Sequence, residues 1–235
     1  MSSGLSPRFC ANAPSLPNPD QAPALPDQTE EYRRGIFINC PFDDAYKPIR
    51  DALIFTAFAC GLKPRCALEY DNSVQTRLDK IVDLIGACRW GIHDLSRVRP
   101  VKRADPPHFN MPFELGLFFG AHRFGDEQQK FKSCLVLVHD TKKFQQACSN
   151  LNGQDPVAHA SDPKAAVEAV RNWLQGELRR TGLDKTQKPL RTGDAIFADY
   201  RAFRDKLPDA CRRLGGIENK LTFVDYCDLV SNWLA

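Results

Sequence analysis

GIFINCPFDDAYKPIRDALIFTAFACG, residues 35–61, decides the architecture. Its first part, GIFINCPF (35–42), is a short apolar run ended by Pro41 and reads as a buried strand. Its second part, AYKPIRDALIFTAFACG (45–61), has a helical apolar pattern closed by Gly61. The same alternation continues downstream. LKPRCAL (62–68) is a second strand, and NSVQTRLDKIVDLIGAC (72–88) is a helix with Leu78, Ile81, Val82 and Ile85 on one stripe and Ser73 as its N-cap. RWGIHDLS (89–96) is a third strand with a polar end. PHFNMPFELGLFFG (107–120) opens a third helix, with Phe113, Leu117 and Phe118 as core residues. KSCLVLVHD (132–140) is a fourth strand, apolar almost throughout, as parallel strands covered on both faces are.

Strands alternating with helices require parallel pairing, because parallel neighbours need a crossover. The expected fold is therefore α/β, a flavodoxin/Rossmann-like doubly wound parallel sheet with a C-terminal helical extension. Residues 1–33 form a Pro-rich leader with little to pack, 34–182 the α/β domain, and 183–235 the extension. Helices are expected over 162–180, 194–214 and 221–234. Tyr200, Phe203, Tyr226, Leu229 and Trp233 carry more apolar surface than a helix pair can leave in water, so the extension packs on the domain or on a partner subunit. A homo-oligomer is the expectation.

Composition narrows the function. A 43% hydrophobic and 26% charged content is that of a globular chain, and a net charge of +3 with dispersed Lys and Arg gives no nucleic-acid footprint and no polybasic membrane patch. No window approaches the ~18 uninterrupted apolar residues of a membrane span. Nine cysteines lack C-x-x-C spacing, and Cys40, Cys60, Cys88 and Cys134 fall in apolar runs. They read as reduced thiols in a cytoplasmic protein, with no metal site.

Ligands of a doubly wound sheet sit beyond the carboxyl ends of its strands. There the sequence brings Asn39, Phe42 and Asp43 after the first strand, Asp94 and Ser96 after the third, and Asn110 and Glu114 on the next helix. Arg77 is either a surface residue or a phosphate contact. The first loop has no glycine and presents two acids, which argues against a dinucleotide or P-loop phosphate cradle. No G-x-S-x-G elbow exists. Carboxylates, an amide, a hydroxyl and aromatics suit cleavage of a glycosidic bond, in which a carboxylate stabilises or attacks a cationic sugar carbon.

FINCPF, HDLS and NMPFELGLFFG, in that order, resemble the bacterial nucleotide-processing group of Toll/interleukin-1-receptor-like (TIR-like) and nucleoside 2-deoxyribosyltransferase-like proteins, over about residues 34–140. The resemblance implies Glu114 as the carboxylate essential for N-glycosidic cleavage, Asp94 as the ribose-contacting or proton-handling acid, and Phe42 beside the sugar or base. It implies a nucleotide or nucleoside ligand, with NAD as substrate rather than cofactor, and a role in anti-phage defence. The alternatives it carries are a deoxyribosyltransferase and an inactive nucleotide-sensing module. The long basic loop 97–109 and the C-terminal helices favour the TIR-like branch. Each residue also has a plainer reading: Glu114 as a first-turn acid held by the helix dipole, Asp94 and Ser96 as caps, Asn39 as a loop hydrogen-bonder, Asp43 as an N-cap, Phe42 and His93 as core.

Overall fold

The structure is a computed structural model that describes residues 29–69, 73–97, 109–142, 155–181 and 189–235. Five strands, β1 (Gly35–Asn39), β2 (Lys63–Arg65), β3 (Trp90–Asp94), β4 (Ser133–Val138) and β5 (Val157–Ala158), form one sheet in the order β2-β1-β3-β4-β5. All four pairings are parallel. This is the expected doubly wound sheet. The order reverses between β1 and β3, which opens the ligand crevice of such folds beside Asn39 and Asp94.

The helices are α1 (Glu30–Arg34), α2 (Lys47–Ala59), α3 (Arg77–Gly86), α4 (Asn110–Phe124), α5 (Pro163–Thr181), α6 (Gly193–Arg213) and α7 (Phe223–Leu234). Strand alternation sorts the two faces of the sheet. Ile36, Ile38, Trp90, Ile92, Leu135 and Leu137 pack with α2 and α5, whereas Phe37 packs with Ile81, Leu84, Ile85 and Phe118 of α3 and α4. Gly61, at φ +78°, ends α2 in a left-handed turn: its N–H reaches Phe58 O and that of Leu62 reaches Ala57 O.

The extension adds a further layer. Tyr200, Phe203 and Tyr226 are buried in the same core as α2. The Tyr200 hydroxyl donates to Pro48 O and that of Tyr226 to Asp51 O, each at 3.2 Å. Surface for which a partner subunit was expected is thus largely covered within the chain; Trp233 remains 41% exposed, edge-on to Phe203.

Four local expectations change. A fifth strand exists, two residues long, too short to give a period. The helix α3 begins at Arg77, capped by Thr76 rather than Ser73, and buries Ile81, Leu84 and Ile85 while Leu78 and Val82 are exposed. The face it turns to the sheet is the one that packs on Phe37 and Phe118. Phe113 is exposed because the sheet-facing stripe of α4 is Met111, Glu114, Leu115 and Phe118. Packing also begins before residue 34: Tyr32 is buried, donates to Gln128 O at 2.8 Å, and lies under the Lys132 ammonium. Residues 1–28 lie outside the described chain.

Candidate functional site

Glu114 occupies a position of α4 where i, i+3, i+4, i+7 spacing calls for an apolar side chain. It is 6% exposed and makes no hydrogen bond among the described residues. It lies beyond the first turn, which holds no acid, so the dipole reading does not apply. Burial pushes its carboxyl up to about 7, with only the Arg77 guanidinium at the start of α3 pulling it back. Arg77 is exposed and acts on it through charge alone.

Asn39 sets where Glu114 sits. Its Nδ2 donates to Met111 O at 2.9 Å and to His93 Nδ1 at 3.1 Å, tying the end of β1 to the first turn of α4. The amide orientation follows from this, because only the NH2 group can face a carbonyl. His93 Nδ1 is then the acceptor and the ring proton is on Nε2, which finds no hydrogen-bond partner among the described residues. Burial drives this imidazole down to about 3, so it stays neutral. Its ring stands edge-on to Phe118 at 5.0 Å and folds over Gly91, where a Cβ would meet Phe118 and His93 at 2.8–2.9 Å.

Asp94, one residue on, points to the opposite face of the sheet. It is wholly buried. Its Oδ2 accepts from the Tyr46 hydroxyl and from His159 Nε2 at 2.8 Å, and its Oδ1 from Ser96 N at 2.8 Å. Burial alone would raise its carboxyl, but the bonds from His159, Ser96 and Tyr46 prevail and hold it below the ordinary range. Ser96 Oγ lies 2.9 Å from the same His159 Nε2. Ser161 N donates to His159 Nδ1 at 3.0 Å, so the ring proton is on Nε2. That arrangement excludes a serine-hydrolase relay, which needs the imidazole nitrogen beside the hydroxyl free to take its proton.

The turn carrying Ser161 is strained. Ala160 and Ser161 have φ of 48° and 62°, and Asp162 N closes the turn on His159 O at 2.7 Å. Non-glycine residues in this region cost roughly 1 kcal/mol each. The bonds from Ser161 N to His159 and between Ser161 Oγ and His139 Nδ1, 3.2 Å, hold it.

The sequence-derived residues therefore divide. Asp94 and Ser96 join one network on the α2 face; Asn39, Glu114 and Arg77 gather on the α4 face. Cys40, fully buried between them at the end of β1, is pushed well above the usual thiol range by burial first, and then by Cys66, Asp94 and Glu114. Asp43 is exposed, accepts from Tyr46 N at 3.0 Å and meets Arg97 at 3.4 Å. Phe42 is half-buried against the α2 core, and Asn110 is exposed. Tyr46, His159 and Arg97 were not anticipated. Tyr46 precedes α2 as its N-cap and carries no motif of its own, and His159 follows a strand too short to be seen.

No group of three or more His, Cys, Asp or Glu side chains among the described residues is arranged to hold a metal ion, and the described cysteines are free thiols. Among these residues no helix is long and apolar enough to cross a membrane. No protein-family model, curated protein or solved structure matches the chain.

Proposed function

We propose that the chain cleaves the N-glycosidic bond of NAD or a related nucleotide, with Glu114 as the catalytic carboxylate. One observation carries this: a nearly buried acid with no hydrogen-bond partner among the described residues, beside the switch point of a parallel sheet. Such a group has no ion-paired cation among the described residues. A pyridinium nucleotide brings one, and its arrival lowers the Glu114 pKa and ionises the carboxylate for the step. The C1′–N bond breaks, its electron pair goes to the nicotinamide nitrogen, and the positive charge remains on the ribose as an oxocarbenium that the desolvated carboxylate stabilises. Water adds at C1′ and releases a proton. Arg77 and Arg97, at the starts of the flanking segments, suit the phosphates.

Asp94 acts at a distance in this reading. Its charge is spent on Tyr46, Ser96 and His159, so it positions the loops rather than touching the sugar. That saturation also favours a second reading, a nucleotide-binding module with no turnover. Full-length chain incubated with NAD or with pairs of deoxynucleosides and bases, followed by chromatography of free base, separates them. Nicotinamide release abolished by Glu114→Gln supports the hydrolase, and base exchange without NAD loss supports a deoxyribosyltransferase. Saturable NAD binding with neither product supports the module. Turnover that survives Glu114→Gln refutes the assignment of the carboxylate. The role in anti-phage defence belongs to the same proposal.

A further inference from the structure

A cavity of about 280 Å³ lies between α2 and the start of α7, and Lys47, Arg50, Asp51, Leu68, Phe223 and Tyr226 are among its walls. Its cations are unequally engaged. Asp51 is 2% exposed; its Oδ2 takes Lys47 Nζ at 2.6 Å and Arg204 at 2.9 Å, and Arg204 also holds Glu218 at 2.6 Å. Two carboxylates thus answer two cations. The acid in the first turn of α7, Asp225, is used to cap Thr222. Arg50 is left over. Its Nε stands 3.7 Å from Asp51 Oδ1, beyond hydrogen-bond length, and its guanidinium donates no hydrogen bond among the described residues although the side chain is only 17% exposed.

We propose that this cavity binds a small monocarboxylic acid with a flat apolar body. A guanidinium presents its N–H groups as a fork that matches a carboxylate, and an unpaired fork largely withdrawn from water gains most from such a partner. A single guanidinium fork without a hydrogen-bonded acceptor suits one carboxylate. Phe223 and Tyr226 offer aromatic walls to the rest of the molecule, and the volume is near the lower end for ligand pockets, so the ligand is about the size of one ring. The site is separate from Glu114 and does not rest on the glycosidase reading. It adjoins that site through one residue: Lys47 follows Tyr46, whose hydroxyl holds Asp94.

Calorimetric titration of the full chain with benzoate tests this, with benzamide as the uncharged isostere. Benzoate should saturate with a Kd of about 1 mM or below, the range open to a ligand of so few atoms. Benzamide should bind at least about tenfold more weakly, as should benzoate to Arg50→Met, which keeps the apolar stem. Leu68→Trp alters the 45% exposed rim, leaves every charge in place, and should also block binding. Glu114→Gln should bind benzoate like the wild type. No saturation at about ten times the expected Kd, equal binding of benzamide, wild-type affinity in Arg50→Met, or loss of binding in Glu114→Gln would each overturn the proposal.

Discussion

Replacing Glu114 by Gln should make the protein more stable at pH 8 and leave it unchanged at pH 4. The ordinary carboxyl titrates near 4.5, whereas burial raises the folded-state value to about 7. A raised value means that the folded state favours the protonated form. The associated stability is fully present below about pH 4.5, declines as the pH rises, and is lost above about 7. At 1.36 kcal/mol per pH unit the full loss is about 3 kcal/mol, and because Glu114 is 6% exposed, solvent screening removes little of it. Gln has nearly the same shape and no charge to desolvate. The assay is urea denaturation of both proteins from pH 4 to pH 8, reading the difference between them so that other titrations cancel. The difference should be near zero at pH 4, grow between about 4.5 and 7, and level off. A flat difference across the range would mean that the carboxyl is solvated or paired, and the desolvated acid on which the proposed chemistry depends would not exist.

Asp94→Asn should show the opposite limb. A lowered folded-state value gives stability above the ordinary 3.8 that disappears as the pH falls through the folded value, so the variant should lose about 3 kcal/mol at pH 7 and converge on the wild type in acid, by the same denaturation series. Gly91→Ala brings a methyl within 2.8–2.9 Å of Phe118 and His93, and should cost about 2 kcal/mol in calorimetric melting while leaving the sheet's far-ultraviolet dichroism intact. Tyr32→Ala removes a buried ring and its bond to Gln128 O, and should cost about 3 kcal/mol in the same measurement; no loss would return residues 29–34 to the leader.

Much of the sheet could be read from the chain because its signals are local. GIFIN and SCLVLV are apolar without alternation, which only strands covered on both faces require, and Gly61 marks the left-handed end of α2. What escaped depended on contacts far apart in sequence. Val157–Ala158 becomes a strand only because β4 is beside it. Tyr32 sits among four charged residues and is polar by its neighbours, yet the pocket that takes it is built by Lys132 and Gln128 almost a hundred residues on.

The two acids show where reading by strand ends stops. Placing Asp94 and Glu114 at the same edge was enough to imagine them in one cleft. The pleat forbids a simple version of that picture: Ile92 faces α2, so Asp94, two residues later, faces α2 as well, while His93 faces α4 with Asn39 opposite it in register. The acid on the α4 side of the crevice is carried by α4 itself, and in its buried stripe Glu114 is the residue that can carry charge. The same alternation explains why each acid titrates as it does. On the α2 face Asp94 meets a hydroxyl from the start of α2 and an imidazole from the turn after β5, and its own loop returns a backbone amide at Ser96. On the α4 face the equivalent donors are taken, since the Asn39 amide is committed to Met111 and His93, and Glu114 is left without one. A carboxylate deprived of donors by its own scaffold is costly to the fold, and a cationic transition state in the crevice is the partner that would recover that cost.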